Sequence, residues 1–271
     1  MNNDAYLDEL ESKSIYIIRE AYWEYKDNLA ILWSMGKDST TLVHLIRKAF
    51  FGIVPTPVIH IDTTFKFKQI YEFRDQFSKK WNLNLIIAKN YKALKEGMSP
   101  EKGRFNCCNA LKTEALKQII EKYNLKALLV AIRRDEHAIR AKEKYFSVRD
   151  KEFKWDYQHQ PLELWMEYYK TESGTGTHFR VHPLLHWREI DIWRYIRREK
   201  LPVVNLYFAK RGRRYRSIGC ECCCEPIESK ADTIAKIIKE IQDTQVSERS
   251  GRSQDKENIY AMQRLRSLGY M

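Results

Sequence analysis

Short apolar runs alternate with amphipathic segments along most of the chain. The first apolar run, residues 29–33, is followed by small polar residues and then by apolar positions at helical spacing, to about residue 51. Similar runs predict further strands at 58–63, 83–88, 127–132 and 181–184. The segments around them predict helices at 4–26, 67–80, 110–123, 187–200 and 233–243. This alternation is typical of an α/β protein with a doubly wound, mostly parallel sheet.

The pattern shows no internal repeat and no interdomain linker. Residues 150–178 are rich in aromatic side chains and are predicted to have irregular structure. Residues 247–271 form a charged tail. We therefore predict one domain over 1–225 and a C-terminal helical extension over 226–271. No apolar run approaches the roughly 18 residues of a membrane span, and the acidic N-terminus is unlike a signal peptide. These features predict a cytoplasmic protein that does not contact a membrane.

The turn after the first strand has the composition of an oxyanion site. Ser34, Gly36, Asp38 and Ser39 lie where a helix is predicted to begin. The first N–H groups of a helix have no partner and the helix dipole is positive there, so a phosphate is attracted. Lys37 adds a full positive charge. Taken alone, the same residues also fit an ordinary turn with Ser and Asp as helix caps.

Polar residues also follow two other predicted strands. Asp62 and Thr63 end the second strand, where α/β proteins contact a ribose or an adenine. Arg133 and Arg134 follow the fourth strand directly, and Arg140 comes shortly after. Because ligands bind at this end of a buried strand, the arginines are candidates to hold an oxyanion through paired N–H donors. Surface ion pairing with neighbouring carboxylates is the alternative.

Charge and cysteine content narrow the possible ligands. The formal net charge is +12, which suits nucleotide phosphates, sulfate, an acidic protein or a nucleic acid. All six cysteines fall into two clusters, at 107–108 and 220–224. In a chain with no secretory signal, such clusters indicate metal or redox chemistry more than structural disulfides.

The polar turn resembles the PP-loop of the ATP pyrophosphatases, usually Ser-Gly-Gly-x-Asp-Ser, with Met35 in place of the first glycine. Several other motifs follow in order: Ile59-His-Ile-Asp-Thr63, Leu111-Lys-Thr-Glu-Ala-Leu116, Arg133-Arg-Asp-Glu136, Arg140-Ala-Lys-Glu143, Phe146-Ser-Val-Arg-Asp150, His182-Pro-Leu-Leu-His-Trp187, Asp191-Ile-Trp193 and Ser247-Glu-Arg-Ser-Gly-Arg252. Over nearly its whole length the chain resembles the small, ATP-binding subunit of bacterial two-subunit sulfate adenylyltransferases, within the phosphoadenosine-phosphosulfate reductase superfamily.

This resemblance implies an adenine nucleotide α hydrolase-like fold and attack of sulfate on the α-phosphorus of ATP, with Mg²⁺ and a GTPase large subunit as partner. We expect adenylyl sulfate and pyrophosphate as products. The catalytic candidates are Lys37, Asp38, Arg133, Arg134 and Arg140. The nucleotide-binding candidates are Ser34, Gly36, Asp38, Ser39, Asp62 and Thr63.

The cysteines depart from that family and resemble the [4Fe–4S] ligands of the adenylyl-sulfate reductases. Four thiolates satisfy such a cluster, and the expected ligands are Cys107, Cys108, Cys220 and Cys223. Cys222 and Cys224 leave the second pair open, and a Zn²⁺ site or free buried thiols are the alternatives. Those reductases also need a cysteine near the C-terminus. Because no cysteine follows Cys224, we do not expect a reductase.

A second enzyme class is compatible with the same features. An ATP pyrophosphatase of a DNA phosphorothioate modification system would carry an iron–sulfur cluster, bind DNA and receive sulfur from a cysteine desulfurase. The cysteines and the positive charge favour it, and it predicts DNA binding that weakens with salt. A nucleotide-sensing module is a third possibility, and it predicts ATP binding without pyrophosphate release.

Overall fold

A six-stranded sheet forms the centre of the computed structural model, which describes residues 3–137, 140–156, 158, 160, 163, 178–252, 264, 265 and 267–269. Its strands are β1 (Leu29–Leu32), β2 (Val58–Ile61), β3 (Leu85–Ala88), β4 (Ala127–Leu129), β5 (Phe146–Arg149) and β6 (His178–Val181). They lie in the order β3-β2-β1-β4-β6-β5, and all neighbours are parallel except β5 and β6. A small antiparallel pair, β7 (Arg213–Arg214) and β8 (Ile227–Glu228), lies apart.

Eight α-helices accompany these strands in the described part of the chain. They are α1 (Asn3–Tyr25), α2 (Lys37–Ala49), α3 (Lys68–Lys80), α4 (Tyr91–Lys95), α5 (Arg104–Cys108), α6 (Glu114–Lys122), α7 (Glu189–Glu199) and α8 (Ile234–Asp243). Every residue of β1, β2 and β4 is buried, as expected for parallel strands covered on both faces. Among these helices, none combines the length and apolar character needed to cross a bilayer.

The local structure differs from the sequence-based expectations at three places. The strand expected at 181–184 lies earlier, at β6, because Pro183 has no N–H to pair and the chain turns through Leu185 N–H to His182 O. Strand β5 was not predicted. Its polar residues are buried as fully as its apolar residues, so it lacks the alternation of buried apolar and exposed polar positions that indicates a strand. Cys107 and Cys108 lie inside helix α5, which continues through a π-helical turn, Asn109–Thr113, into α6.

Two predicted segments lie largely outside the described residues. Most of the irregular stretch at 150–178 is one of them, and most of the extension beyond residue 252 is the other. Within the described part of the extension, residues 248–251 form a 3₁₀ turn, and Glu248 contacts Lys37 and Arg133.

The strand order places the site. The chain leaves β1 toward β2 on one side, while β4 pairs with β1 on the other. Ligands of α/β sheets bind at such a switch point, outside the carboxyl ends of the strands. The loops after β1 and β4 therefore meet at one edge, which is where the PP-loop and the arginines lie.

Candidate active site

The PP-loop connects β1 to α2, and hydrogen bonds made by its own serines stabilise its conformation. Ser39 Oγ donates to Gly36 O at 3.1 Å, and the Ser34 and Ser39 hydroxyls lie 3.0 Å apart. A Cβ at Gly36 would lie 3.3 Å from Ser34 Oγ, so the loop favours glycine there. Met35 has φ +61°, the left-handed region that glycine adopts most easily, and its side chain is fully buried. Burial of the Met35 side chain offsets the free-energy cost of this backbone conformation, at a position where the PP-loop usually has glycine.

Lys37 begins α2 and is held at both ends. Its N–H donates to Tyr207 Oη at 2.9 Å. Its Nζ lies 3.0 Å from Asp38 Oδ2 and also contacts Glu248 Oε1, although the side chain is only 1% exposed. This cation is thus fixed at the positive end of a helix, the position of a phosphate-binding lysine.

Arg133 completes a buried ion network behind Lys37. Its guanidinium contacts Asp38 and Glu248 and lies 3.0 Å from Asp135 Oδ1. Burial lowers the pKa of Arg133, but Glu248 and Asp135 raise it further, so the pKa lies above its usual value. Burial raises the pKa of Glu248, but Arg133 and Lys37 outweigh this effect and lower it. Two cations therefore share two carboxylates at the base of the PP-loop.

A second group of ion pairs comes from the C-terminal segment 247–252, which we name the clasp. Arg249 reaches Glu136 at 3.4 Å, and Glu136 also pairs with Arg140. Arg252 donates to Ile218 O at 2.6 Å and to Cys224 Sγ at 3.2 Å. The sequence had marked these residues as part of a motif, but the site prediction did not include them.

Next to this network the structure forms an open cleft with a volume of about 150 Å³. Its basic lining residues are Lys37, Lys66, Lys112, Arg140, Arg249 and Arg252. Its acidic lining residues are Asp38 and Glu136, and its apolar walls come from Leu32, Trp33, Ile59, Ile61, Val130 and Ile132. A lining that combines six basic residues with apolar walls fits a ligand with a flat, weakly polar part and several negative charges.

The predicted residues separate into two groups. Ser34, Gly36, Lys37, Asp38, Ser39 and Arg140 line the cleft. Arg133 is buried behind the lining and acts on the cleft through Asp38. Arg134 lies with its guanidinium 5.2 Å from the centre of the Tyr145 ring and is not part of the lining.

Asp62 and Thr63 contact a different set of residues from those that line the cleft. The Asp62 carboxylate accepts from Thr64 N at 2.8 Å and Tyr71 Oη at 2.9 Å, and lies 2.9 Å from Lys89 Nζ. Burial raises the pKa of Asp62, but Lys89 and these hydrogen bonds lower it more. Thr63 Oγ1 lies 3.2 Å from Cys220 Sγ. Nucleoside binding by Asp62 and Thr63 stays a prediction.

The two cysteine clusters come together beside the cleft. Burial and the thiols of Cys108 and Cys220 raise the pKa of Cys107 to about 12. Burial and the Cys222 thiol raise the pKa of Cys223 to about 12 as well. The pKa of Cys220 is raised by burial, but Lys112 and Lys66 lower it to about 6. Five thiols therefore share one neighbourhood, bordered by two lysines of the cleft.

The thiols are not arranged as a complete ligand set. The Cys222 and Cys223 sulfurs lie 3.7 Å apart, and Cys224 Sγ already accepts from Gly219 N and Arg252. Within the described residues, no three Cys, His, Asp or Glu side chains converge closely enough to hold a metal ion. The thiols lie near one another, as a metal centre requires, but their arrangement is not that of a set of metal ligands. The [4Fe–4S] cluster at Cys107, Cys108, Cys220 and Cys223 therefore stays a prediction.

Comparison with known proteins identifies the family. A profile of the phosphoadenosine phosphosulfate reductase domain matches residues 28–226. This chain belongs to that family. Sulfate adenylyltransferase subunit 2 of Psychromonas ingrahamii is 39% identical over 300 residues, covering 99% of each chain. The protein of the same name from Parabacteroides distasonis is 40% identical over 297 residues, covering 98% of each. The predicted resemblance is confirmed.

Solved structures with lower sequence identity share the fold. Yeast FAD synthetase in complex with FAD has a TM-score of 0.57 at 17% identity, covering 93% of this chain and 92% of its own. Phosphoadenylyl-sulfate reductase of Candida auris has a TM-score of 0.55 at 17% identity, covering 82% of this chain and 96% of its own. The predicted α/β fold with a mostly parallel sheet is therefore confirmed.

Proposed function

We propose that this chain transfers the adenylyl group of ATP to sulfate, forming adenylyl sulfate and releasing pyrophosphate. The observation that carries the proposal is the cleft: a PP-loop lysine at a helix N-terminus, faced by five further basic residues above apolar walls. Full-length relatives named sulfate adenylyltransferase subunit 2 support the choice of sulfate as acceptor.

The cleft suggests how ATP is bound. The adenine occupies the apolar walls that include Leu32 and Ile61, and the triphosphate lies over Lys37 and the first turn of α2. Because Asp38 and Glu136 are the acidic lining residues in the described chain, they are the groups that would hold Mg²⁺. Bound Mg²⁺ would neutralise charge on the phosphates.

The reaction needs positive charge on both sides of the α-phosphorus. A sulfate oxygen forms a bond to this phosphorus, and the bond from it to the bridging oxygen of the pyrophosphate breaks. Lys37 stabilises the charge that develops on the leaving pyrophosphate, and Arg140 and Arg249 hold the dianionic sulfate. Arg133 keeps Asp38 in place from behind. No proton needs to be removed from sulfate, so the site requires no general base.

The partner is proposed to be a GTPase large subunit in the same cytoplasmic complex. The relatives are named as a second subunit, which supports a partner chain. Formation of adenylyl sulfate is strongly unfavourable without an energy source, and a coupled GTPase would supply it.

The test is pyrophosphate release from ATP by the full chain, with and without sulfate and the large subunit. We expect sulfate-dependent release that Asp38→Ala abolishes, because the variant loses the carboxylate shared by Lys37 and Arg133. Asp232→Ala, at an exposed ion pair with Lys236, is the matched control and should keep full activity. Unchanged turnover in Asp38→Ala would contradict the assignment of the PP-loop.

The cysteines favour a second candidate, a DNA phosphorothioate modification enzyme supplied by a cysteine desulfurase. Five adjacent thiols and the net charge of +12 support it. Pyrophosphate release that ignores sulfate but rises with duplex DNA and the desulfurase would establish this function instead. Iron content of anaerobically purified Cys107→Ser tests the [4Fe–4S] prediction, since a ligand variant should lose iron. Zinc content tests the alternative.

A further inference from the structure

One face of the β5–β6 pair carries buried basic side chains outside the cleft. Ser147 lies opposite Arg180 and Arg149 opposite His178 in the antiparallel register. Directly opposed residues project to the same side of a sheet, and positions two apart share a face. These four side chains therefore form one group, and all four residues are at most 4% exposed.

Arg149 is partly satisfied within this group. Its Nη2 lies 2.9 Å from Glu143 Oε1, and its Nη1 donates to Ser147 Oγ at 2.8 Å. The Glu143 carboxylate also accepts from the Ser147 hydroxyl. The single negative charge of Glu143 is thus used by Arg149.

Arg180 lacks a comparable partner. Its guanidinium donates to the carbonyl oxygen of Gly269 through Nη2. Among the described residues, Arg180 Nε and Nη1, Arg149 Nε and His178 Nε2 meet no hydrogen-bond partner, and no carboxylate pairs with Arg180. Among the residues that the structure describes, the group therefore contains one more buried positive charge than negative charge.

A buried guanidinium cannot remove its charge by losing a proton under ordinary conditions, and leaving it unpaired is strongly unfavourable. Burial and the neighbouring Arg149 lower the pKa of Arg180, which reflects the same unfavourable environment. Burial lowers the pKa of His178 to about 2, so this imidazole is neutral and adds no charge. An anion is the simplest group that satisfies the free donors and balances the charge.

We infer that this face of β5 and β6 binds a small inorganic oxyanion between Arg149 and Arg180. The free guanidinium nitrogens are all donors, and the nearby acceptors, Glu143 and Ser147, are already bonded. A fully deprotonated anion such as sulfate satisfies donors alone, whereas hydrogen phosphate brings a proton that needs an acceptor. The site should therefore prefer sulfate to phosphate.

This oxyanion site is separate from the cleft. Neither Arg149 nor Arg180 lines the cleft, but Arg140 does. His182 is buried near both, because burial and the charges of Arg149, Arg180 and Arg140 lower its pKa. The inference does not depend on the proposed reaction, because it rests on buried charge that no described group balances.

The test is the thermal unfolding midpoint of the full chain in sodium chloride, sodium sulfate and potassium phosphate at equal ionic strength. For a chain of this length, sulfate at about 100 times its Kd should raise the midpoint by about 5–10 °C. Arg180→Met removes the unpaired charge and keeps the volume. In chloride this variant should unfold at or above the wild-type temperature, and sulfate should raise its midpoint far less.

Sulfate also stabilises proteins non-specifically and can enter the cleft, so a cleft variant is needed. Lys66→Met changes a basic cleft residue and should keep the full sulfate effect. Equal sulfate shifts in wild type and Arg180→Met would overturn the inference. If Arg180→Met does not fold, Arg180→Lys tests the same point, with sulfate affinity at least tenfold weaker expected and unchanged affinity overturning it. Crystals grown with selenate should show anomalous scattering between Arg149 and Arg180, and a signal confined to the cleft would also overturn the inference.

Discussion

Glu248→Gln should bind ATP more tightly than the wild-type protein. The Glu248 carboxylate contacts Lys37 Nζ, over which the triphosphate is proposed to lie, and it also contacts the Arg133 guanidinium behind the cleft lining. ATP must therefore displace a negative charge that the chain itself supplies. Glutamine keeps the size and one acceptor of glutamate but loses its charge, so less must be displaced.

The size of the effect follows from the two contacts. A hydrogen bond to a charged group contributes about 1.5–3 kcal/mol, and the glutamine amide oxygen can still accept one of the two. The nucleotide-free variant should lose about 1.5–3 kcal/mol of unfolding free energy. If ATP replaces these contacts, the bound state loses nothing, and the whole difference appears as about 10- to 160-fold tighter ATP binding.

The assay is isothermal titration with a non-hydrolysable ATP analogue, combined with urea unfolding with and without that analogue. Glu240→Gln, which weakens a pair with the buried Arg214 away from the cleft, is the matched control. It should lose similar stability in both states and keep the wild-type affinity. Unchanged or weaker ATP binding by Glu248→Gln would refute the displacement argument.

Three further predictions concern stability. Met35→Gly, although it restores the usual PP-loop residue, should lose about 1–3 kcal/mol in urea unfolding, because the lost buried side chain outweighs about 1 kcal/mol of relieved backbone strain. Gly251→Ala should lower the unfolding free energy by about 1–3 kcal/mol in the same assay, since its Cβ would lie 2.7 Å from Glu225 O. An unchanged unfolding free energy would show that the clasp backbone moves to accommodate the added methyl group. The lowered pKa of Glu248 contributes stability that is present above its ordinary value of 4.5 and is lost as the pH falls below it. Acid titration should therefore destabilise wild type more steeply than Glu248→Gln, and parallel curves would contradict this.

The sequence predicted the parts of the site that local pattern encodes. The residues of the PP-loop follow a buried strand and open a helix, so periodicity and helix-end chemistry were enough to place Lys37 and Asp38. Arg140 was found because charged residues follow a buried strand. The order of strands and helices likewise predicted the parallel sheet.

The missed residues depend on contacts between distant segments. Glu248 and Arg249 lie in a charged stretch that reads as a solvated tail, and only the fold shows them buried against the PP-loop. Asp62 ends a strand at the expected edge, but the sequence does not show that Lys89 and Tyr71 already bind its carboxylate. Strand β5 was not predicted because the burial of its polar residues depends on partners elsewhere in the chain.

The contact between Lys37 and Glu248 joins residues 211 positions apart, and this separation sets an order of events during synthesis. At ribosomal rates of about 5–20 residues per second, Glu248 is made roughly 10–40 s after Lys37. The helix and strands that carry Lys37 and Arg133 are complete well before that. During this interval the growing chain has Lys37 and Arg133 without the Glu248 carboxylate that pairs with both in the finished fold. Until the clasp is made, Asp38 and Asp135 are the carboxylates that can pair with these two cations.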